Sequence, residues 1–337
     1  MSRVVTFGEI MMRLQPPGYK RFVQTESFEV CFGGAEANVA LGLASLGDEA
    51  VFVTKLPAHA IGNAAVNSLR RYGVDTKHIL RGGARVGIYF NEKGADLRGG
   101  VCVYDRAHSA ISELGRGEID WDEVMRGADV FHFTGITPAL SGDMPEICAE
   151  ACRAAHRAGA IVSIDLNYRS KLWGMEEARQ VLSGLCRNAD LLIANAGQAR
   201  DLLGIGVSGD VCLSDGTAGA IAEAVTEEYG LKYAALTVRQ SFSAFDNKIW
   251  GLVYSPCGGC SYSPRYDVHI VDRVGGGDAF AAGFIHAMGA GMTEREAVCF
   301  AAAAEALKHT VEGDAGLFGT DEVSALAFGG KNSEVKR

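Results

Sequence analysis

VHIVDRVGGGDAFAAGF, residues 268–284, joins a short apolar strand to an apolar helical run through three consecutive glycines. Glycines at such a junction leave backbone N–H groups open at the helix N-terminus, where the helix dipole also favours negative charge. Asp278 falls in the first turn, where a carboxylate either caps the helix or accepts a proton from a hydroxyl that attacks a bound phosphate. This stretch therefore predicts a strand, an anion site and a helix of an α/β protein.

Strand and helix patterns alternate over most of the remaining chain. The strands are predicted over residues 4–10, 51–55, 130–133, 161–165, 191–194 and 234–238. The helices are predicted over residues 35–46, 61–72, 144–157, 176–186 and 218–229. This alternation is typical of parallel strands joined by crossover helices. We therefore predict a Rossmann-type α/β fold with a mainly parallel central sheet flanked by helices.

Two stretches, residues 14–32 and 84–105, have strand character and no helical period. They predict a small antiparallel β lid that projects from a domain spanning residues 1–330. Residues 242–254 predict a hairpin beside the main sheet, with Asp246 and Asn247 at its turn. The polar residues 331–337 are expected to form a frayed tail.

The composition indicates which classes of partner the protein does not bind and in which cellular compartment it lies. The chain has 32 Lys and Arg against 41 Asp and Glu, and a net charge of -9 disfavours nucleic-acid binding. No stretch approaches the roughly 20 apolar residues of a membrane helix, and the N-terminus resembles a strand more than a signal peptide. Nine scattered cysteines fit reduced thiols. We therefore expect a cytoplasmic protein that binds neither nucleic acid nor membrane.

Several familiar site motifs are missing from the sequence. It has no Walker loop, no dinucleotide fingerprint and no His-Glu-x-x-His zinc site. Cys257 and Cys260 form a Cys-x-x-Cys pair, but no second pair completes a zinc site and no helix follows to lower a thiol pKa. Metal or redox chemistry at these cysteines is therefore not expected.

The stretch DRVGGGD, residues 272–278, resembles the C-terminal signature of the ribokinase-like (PfkB) carbohydrate kinases, usually Asp-Thr-x-Gly-Ala-Gly-Asp. GGAEANVA, residues 33–40, resembles their N-terminal signature, and the likeness extends over essentially the whole chain. Four further segments resemble the family's 2-keto-3-deoxygluconate kinases: YDR at 104–106, DLNYR at 165–169, HIVDRVG at 269–275 and KHTVEGD at 308–314. The resemblance implies a ribokinase-like sandwich and ATP-dependent phosphorylation of the 6-hydroxyl of 2-keto-3-deoxygluconate.

The resemblance also implies roles at the reacting centre. Asp278 would be the base, and Gly275, Gly276 and Gly277 would form an oxyanion cradle. ATP and Mg²⁺ are the implied cofactors, since the triphosphate charge calls for a metal ion. The residues implied around ATP are Asn167, Thr237, Arg239, Ser241, Gly275 and Gly277, with adenine between the Thr237 loop and the helix over residues 299–308. The sequence assigns no metal ligands.

On the sugar side, glycines would permit a close backbone approach, Asn38 would offer both a donor and an acceptor, and two arginines would grip a carboxylate in bidentate fashion. Two tyrosines on the lid strands would cover the sugar. The implied sugar-binding residues are Gly33, Gly34, Asn38, Tyr89, Tyr104, Arg106, Arg169, Asp278 and Asp314. Each of these residues also has a purely structural explanation. The glycines and Asn38 could form a turn and a helix cap, the arginines could be solvated surface residues, the tyrosines could pack within the lid, and Asp314 could be an ordinary loop residue.

Two positions differ from the family pattern, and the sequence leaves two other functions possible. Gln198 and Gln240 stand where relatives generally carry acidic residues, so magnesium would be held with less protein charge. The same fold could phosphorylate a neutral ketose or a nucleoside, or the chain could be a sugar-acid-binding regulator with weak catalysis. Exposed lid edges also favour a homo-oligomer that associates through the lid.

Overall fold

The computed structural model describes residues 1–212 and 214–329, so the predicted tail at 331–337 lies outside the described residues. Within the described part, the strands in chain order are β1 Arg3–Phe7, β2 Met11–Gln15, β3 Glu29–Gly33, β4 Glu49–Leu56, β5 Ile79–Arg81, β6 Ile88–Glu92, β7 Val101–Asp105, β8 Val130–Thr134, β9 Ile161–Asp165, β10 Leu191–Asn195, β11 Tyr233–Ser241, β12 Asp246–Ser255, β13 Gly259–Tyr262 and β14 Tyr266–His269. The helices are α1 Ala35–Leu46, α2 Ala60–Arg70, α3 Trp121–Val124, α4 Met144–Ala158, α5 Met175–Cys186, α6 Ala196–Leu203, α7 Asp215–Tyr229, α8 Gly276–Gly289, α9 Glu294–Lys308 and α10 Thr320–Gly329.

The main sheet has the order β13-β12-β11-β10-β9-β8-β1-β4-β5, and β14 pairs with β12. The pairs from β11 to β5 are parallel, whereas the pairs that β12 makes are antiparallel. Alternate side chains of β1 enter two apolar cores, with Val5 facing α4 to α7 and Val4 facing α1, α8 and α9. The predicted α/β fold with a mainly parallel sheet between two helical layers is confirmed.

A second sheet of four strands, called the small sheet below, has the order β3-β2-β6-β7. Its outer pairs are antiparallel, but the inner pair of β2 and β6 is parallel. β2 begins only four residues after β1 ends, so the chain passes directly from the main sheet into the small one. The side chain of Arg13 is buried on one face of this sheet, and Leu14 lies on the opposite face.

The predicted hairpin over residues 242–254 is wrong in register. Asp246 already begins β12, which pairs with β11 inside the main sheet, and residues 242–245 make the turn. The hydroxyl of Ser243 accepts hydrogen bonds from the backbone N–H groups of Phe245 and Asp246 at 3.1 and 2.9 Å. This serine turn, and not the Asp-Asn pair, reverses the chain.

In the described ranges, no helix is both long and apolar enough to cross a lipid bilayer.

Candidate active site

A cavity of about 1060 Å³ opens between the small sheet, the ends of the parallel strands and the N-terminus of α8. Asp165 and Asn195, the last residues of β9 and β10, line it, as ligand sites in open α/β sheets do at the carboxyl ends of strands. All but one of the residues that the resemblance assigns to catalysis, sugar binding or ATP binding also line it: Gly34, Asn38, Tyr89, Tyr104, Arg106, Asn167, Arg169, Thr237, Arg239, Ser241, Gly275, Gly276, Gly277, Asp278 and Asp314.

Gly33 is the exception, since it packs against Asp314 and is not on the cavity wall. A Cβ at Gly33 would lie 2.0 Å from Oδ2 of Asp314, and a Cβ at Gly34 would lie 1.9 Å from the carbonyl oxygen of Glu9. Both glycines are therefore required for close packing where β3 turns into α1.

The glycine turn before α8 is packed on one side and open on the other. Gly275 has φ +82°, and a Cβ there would lie 1.6 Å from the carbonyl oxygen of Asp314. A Cβ at Gly276 would lie 2.5 Å from the His309 ring, whereas one at Gly277 would meet no atom within 4 Å. The helix N-terminus therefore faces the cavity with its backbone donors exposed to a ligand.

Asp278 lies in the first turn of α8 and is buried. Nδ2 of Asn38 donates to its Oδ2 at 2.7 Å, which fixes the orientation of the carboxylate. Burial raises the pKa of Asp278 to about 7, while the Asn38 hydrogen bond and the charge of Arg169 act in the opposite direction. A carboxyl group with this pKa can take up a proton near neutral pH.

Asp165 is a second buried carboxyl group on the cavity wall, and its protonation was not anticipated from the sequence. Burial, followed by the charge of Asp278, raises its pKa to about 7. Its Oδ1 accepts a hydrogen bond at 3.1 Å from the backbone N–H of Asn167, which has an unusual φ of +32°.

Asp314 is held by two side chains of the small sheet. It accepts hydrogen bonds from the guanidinium of Arg13 and from the hydroxyl of Tyr89. Burial raises the pKa of Tyr89, so this hydroxyl keeps its proton and stays a donor. Arg13 also contacts Asp272, with Nη2 and Oδ2 2.6 Å apart.

Arg13 was missed by sequence reasoning, although a signal was present. The strand pattern of β2 buries Met11, Arg13 and Gln15 on one face, and a charge at a buried strand position needs a partner. The partners, Asp272 and Asp314, hold the pKa of Arg13 above its ordinary value despite burial. Asp272 also accepts from the backbone N–H of Val274 at 3.1 Å, so Arg13 anchors the strand end from which the glycine turn starts.

The two arginines expected to bind a carboxylate differ in their surroundings. Nε and Nη2 of Arg106 both donate to Oε2 of Glu9, and the Nε bond is 2.9 Å long. The side chain of Arg169 makes no hydrogen bond or ion pair with any residue that the structure describes, and it is exposed to solvent. Its guanidinium is therefore the one of the two that is available to an incoming anion.

Side chains alternate along β11, which decides which of its residues face the cavity. Thr237, Arg239 and Ser241 line it, whereas Gln240 lies on the opposite face and does not. Gln240 therefore contributes no side chain to the cavity wall. Gln198 does line the cavity, and its Nε2 donates to the carbonyl of Tyr168 at 3.2 Å.

Across residues 1–212 and 214–329, no three His, Cys, Asp or Glu side chains are grouped to hold a metal ion. Cys257 in the turn between β12 and β13 and Cys260 in β13 are exposed free thiols, and neither lines the cavity.

Comparisons with a family model, with curated sequences and with solved structures all match carbohydrate kinases. A model of the pfkB family of carbohydrate kinases matches residues 1–225. A 2-dehydro-3-deoxygalactonokinase of Haloferax volcanii is 33% identical over 329 residues, which cover 98% of each chain. The crystal structure of a 2-dehydro-3-deoxygluconokinase from Thermotoga maritima is 48% identical, with a TM-score of 0.94 over 97% of this chain and 98% of that one. A putative ribokinase II of E. coli, solved with ATP and Mg²⁺, shares the fold at 20% identity, with a TM-score of 0.78 over 96% and 98% of the two chains.

Proposed function

The chain belongs to the pfkB family of carbohydrate kinases, and from this premise we propose that it transfers the γ-phosphate of ATP to the 6-hydroxyl of 2-keto-3-deoxygluconate. The product would be 2-keto-3-deoxy-6-phosphogluconate. The observation that carries this proposal is an arginine without a partner, Arg169, in the same cavity as the buried Asp278 and the open turn at Gly277. This cavity offers a carboxylate-binding group, a base and an anion site to one substrate pair.

In the proposed mechanism, Asp278 accepts the proton of the 6-hydroxyl as that oxygen attacks the γ-phosphorus. Asn38 keeps the accepting oxygen of Asp278 in place. The N–H groups of the turn at Gly275 to Gly277 stabilise the charge of the transferred phosphoryl group, which is the main catalytic contribution in this kind of reaction. Magnesium bound with ATP would neutralise phosphate charge, and the oxygens of Asp165, Asn167 and Asn195 on the cavity wall could hold its water shell.

On the sugar side, we propose that Arg169 binds the carboxylate and that Tyr104 covers the ring. Tyr89 and Tyr104 stack with ring centroids 6.0 Å apart, and the guanidinium of Arg106 lies 5.6 Å from the Tyr104 ring. Arg169 is exposed to solvent on the cavity wall, where a carboxylate could pair with its guanidinium and a neutral ketose could not, and this favours an acidic substrate.

A phosphoryl-transfer assay tests the substrate assignment directly. The panel would contain 2-keto-3-deoxygluconate, its galactonate epimer, fructose and ribose. We expect kcat/KM for a keto acid to exceed that for either neutral sugar by at least about tenfold, the lower value for one charged hydrogen bond. A preference for fructose or ribose would exclude the sugar-acid assignment, and binding of the keto acid without turnover would favour a regulator.

The neutral side chain of Gln198 leads to a prediction about magnesium. Fewer carboxylates near the nucleotide should leave the metal ion held mainly by phosphate oxygens and water, so activity should require free magnesium above the ATP concentration. Gln198→Glu should lower that requirement in a magnesium titration at fixed ATP. Gln240→Glu adds the same charge away from the cavity wall and should leave the titration curve of the wild type unchanged. Superimposable curves for wild type and Gln198→Glu would show that position 198 does not influence the metal.

We also propose that the small sheet is a lid and that a second copy of the chain binds its outer face. One apolar row crosses that face through Val30, Leu14, Phe90 and Val103, which are direct cross-strand neighbours. Val30 and Val103 are 57% and 48% exposed. An exposed apolar row on a sheet is typical of an interface. Sedimentation equilibrium should show a dimer that Val103→Glu dissociates, and a monomeric wild type would exclude this proposal.

We place the protein in the cytoplasm. The nine cysteines are free thiols, a state that a reducing compartment maintains.

A further inference from the structure

Two arginines, Arg239 and Arg273, lie together on the cavity wall beside the N-terminus of α8. We propose that they form a clamp for the polyphosphate of the nucleotide, which lets the chain bind metal-free ATP, so that magnesium is needed for transfer and not for binding. This inference rests on the proposed function, because it assigns the triphosphate to this part of the cavity.

Arg239 is fixed against the glycine turn. Its Nη2 donates to Oε1 of Glu305 at 2.9 Å and to Nε2 of His309 at 2.9 Å. A Cβ placed on Gly276 would lie 3.4 Å from the same Nη2. The guanidinium therefore adjoins the first residue of α8, where the backbone donors of the anion site begin.

The His309 ring packs beside this arginine. Its Nδ1 lies 3.3 Å from the carbonyl oxygen of Asp272, and its Nε2 lies 2.9 Å from Nη2 of Arg239 and 3.8 Å from Oε1 of Glu305. Among the described residues, Glu305 is the carboxylate that forms an ion pair with Arg239.

Arg273, in contrast, has no acidic partner. It makes no hydrogen bond or ion pair with any residue in the described ranges, although it lines the cavity. Its side chain is exposed on the cavity wall, and partial burial, followed by the positive charge of Arg239, lowers its pKa. Of the two neighbouring arginines, only Arg239 has an acidic partner, so the guanidinium of Arg273 is available to an anion in the cavity.

Asp272, the acidic residue next in sequence to Arg273, is already paired with the buried Arg13 and does not pair with Arg273. Gln198, where an acidic residue would have drawn a cation to the cavity, is neutral. Guanidinium groups bind phosphate oxygens in bidentate fashion, so a polyanion with several phosphate groups fits the pair better than a metal ion does.

Isothermal titration calorimetry tests this clamp without any turnover. The titrants are ATP in excess EDTA, MgATP, inorganic tripolyphosphate and AMP. The proteins are wild type, Arg273→Ala, Arg273→Lys and Arg295→Ala. Arg295 is an exposed arginine in the first turn of α9 that makes no ion pair among the described residues, so its removal changes net charge equally, away from the cavity.

The wild type should bind metal-free ATP within about threefold of MgATP. Arg273→Ala should weaken metal-free ATP and tripolyphosphate by about tenfold or more, as expected for a charged hydrogen bond, and change AMP by less than twofold. Arg273→Lys should recover part of the loss, and Arg295→Ala should match the wild type.

Equal affinity of wild type and Arg273→Ala for metal-free ATP, alongside normal MgATP binding, would overturn the clamp and leave the proposed kinase function intact. A wild type that binds metal-free ATP 100-fold more weakly than MgATP would overturn the clamp in the same way. A wild type that binds no nucleotide in any form would overturn the proposed use of ATP and the clamp together.

Discussion

The Asp278→Asn variant should lose at least about 100-fold in kcat while its affinity for sugar and nucleotide stays within a few fold of wild type. Asparagine has nearly the same shape and can still contact Asn38, but it cannot accept the hydroxyl proton. Steady-state kinetics with separate ligand titrations would measure both quantities. A correctly folded variant with near-normal kcat would remove Asp278 from the role of base.

The pH profile gives an independent readout of the same group. Because burial raises the pKa of Asp278 to about 7, its carboxylate is protonated and inactive as a base below that pH. The kcat of the wild type should therefore rise with pH through about 7 and then level off, whereas the residual rate of Asp278→Asn should lack this step. Asp165→Asn is the comparison variant, since it removes the other buried carboxyl group and should keep the rising limb if Asp278 is responsible for it.

Arg169→Ala should raise KM for the keto acid by about 10- to 150-fold, which corresponds to about 1.5 to 3 kcal/mol for a hydrogen bond between charged groups. The kcat should change much less, because the carboxylate lies at the far end of the substrate from the 6-hydroxyl. Arg169→Lys should lose less than alanine, since it keeps the charge and loses only the bidentate geometry.

A neutral sugar provides the control for this variant. Whatever weak activity the wild type has with fructose should be unaltered by Arg169→Ala, because fructose has no carboxylate. Loss of activity toward both sugars to the same extent would show that Arg169 shapes the cavity without binding the acid group. Arg106→Ala is a poorer test, since it leaves the buried Glu9 without its ion-pair partner and should also lower stability.

The predictable part of the fold was the part with strong periodicity. The helix predicted over residues 35–46 has those same bounds, because glycines flank it, its interior has no proline and Gly42 within it is held by close packing against Ala282. The strand bounds at 161–165 also agree, because this short segment has three β-branched apolar residues and follows the glycine that ends α4. The turn at Ser243 was missed because a serine hydroxyl that binds two backbone N–H groups leaves a weaker sequence signal than an Asp-Asn pair.

The site was predictable where a residue belongs to a local motif and not where it depends on a distant partner. Asp278 and its glycines could be placed because the strand, turn and helix around them are contiguous. The pairing of Arg106 with Glu9 could not, because it joins residues 97 positions apart. The raised pKa of Asp165 depends on burial against Asp278, which only the folded sheet creates.

Arg13 and Asp314 are 301 positions apart, and this separation has a consequence for synthesis on the ribosome. At roughly 5 to 20 residues per second, Arg13 is made about 15 to 60 s before Asp314. During that interval the arginine lacks both acidic partners, since Asp272 is also made late, and a buried guanidinium without a partner is strongly unfavourable. The nascent chain can therefore form its early parallel strands, but the buried position of Arg13 in the small sheet is stabilised only after residues 272 and 314 have been made.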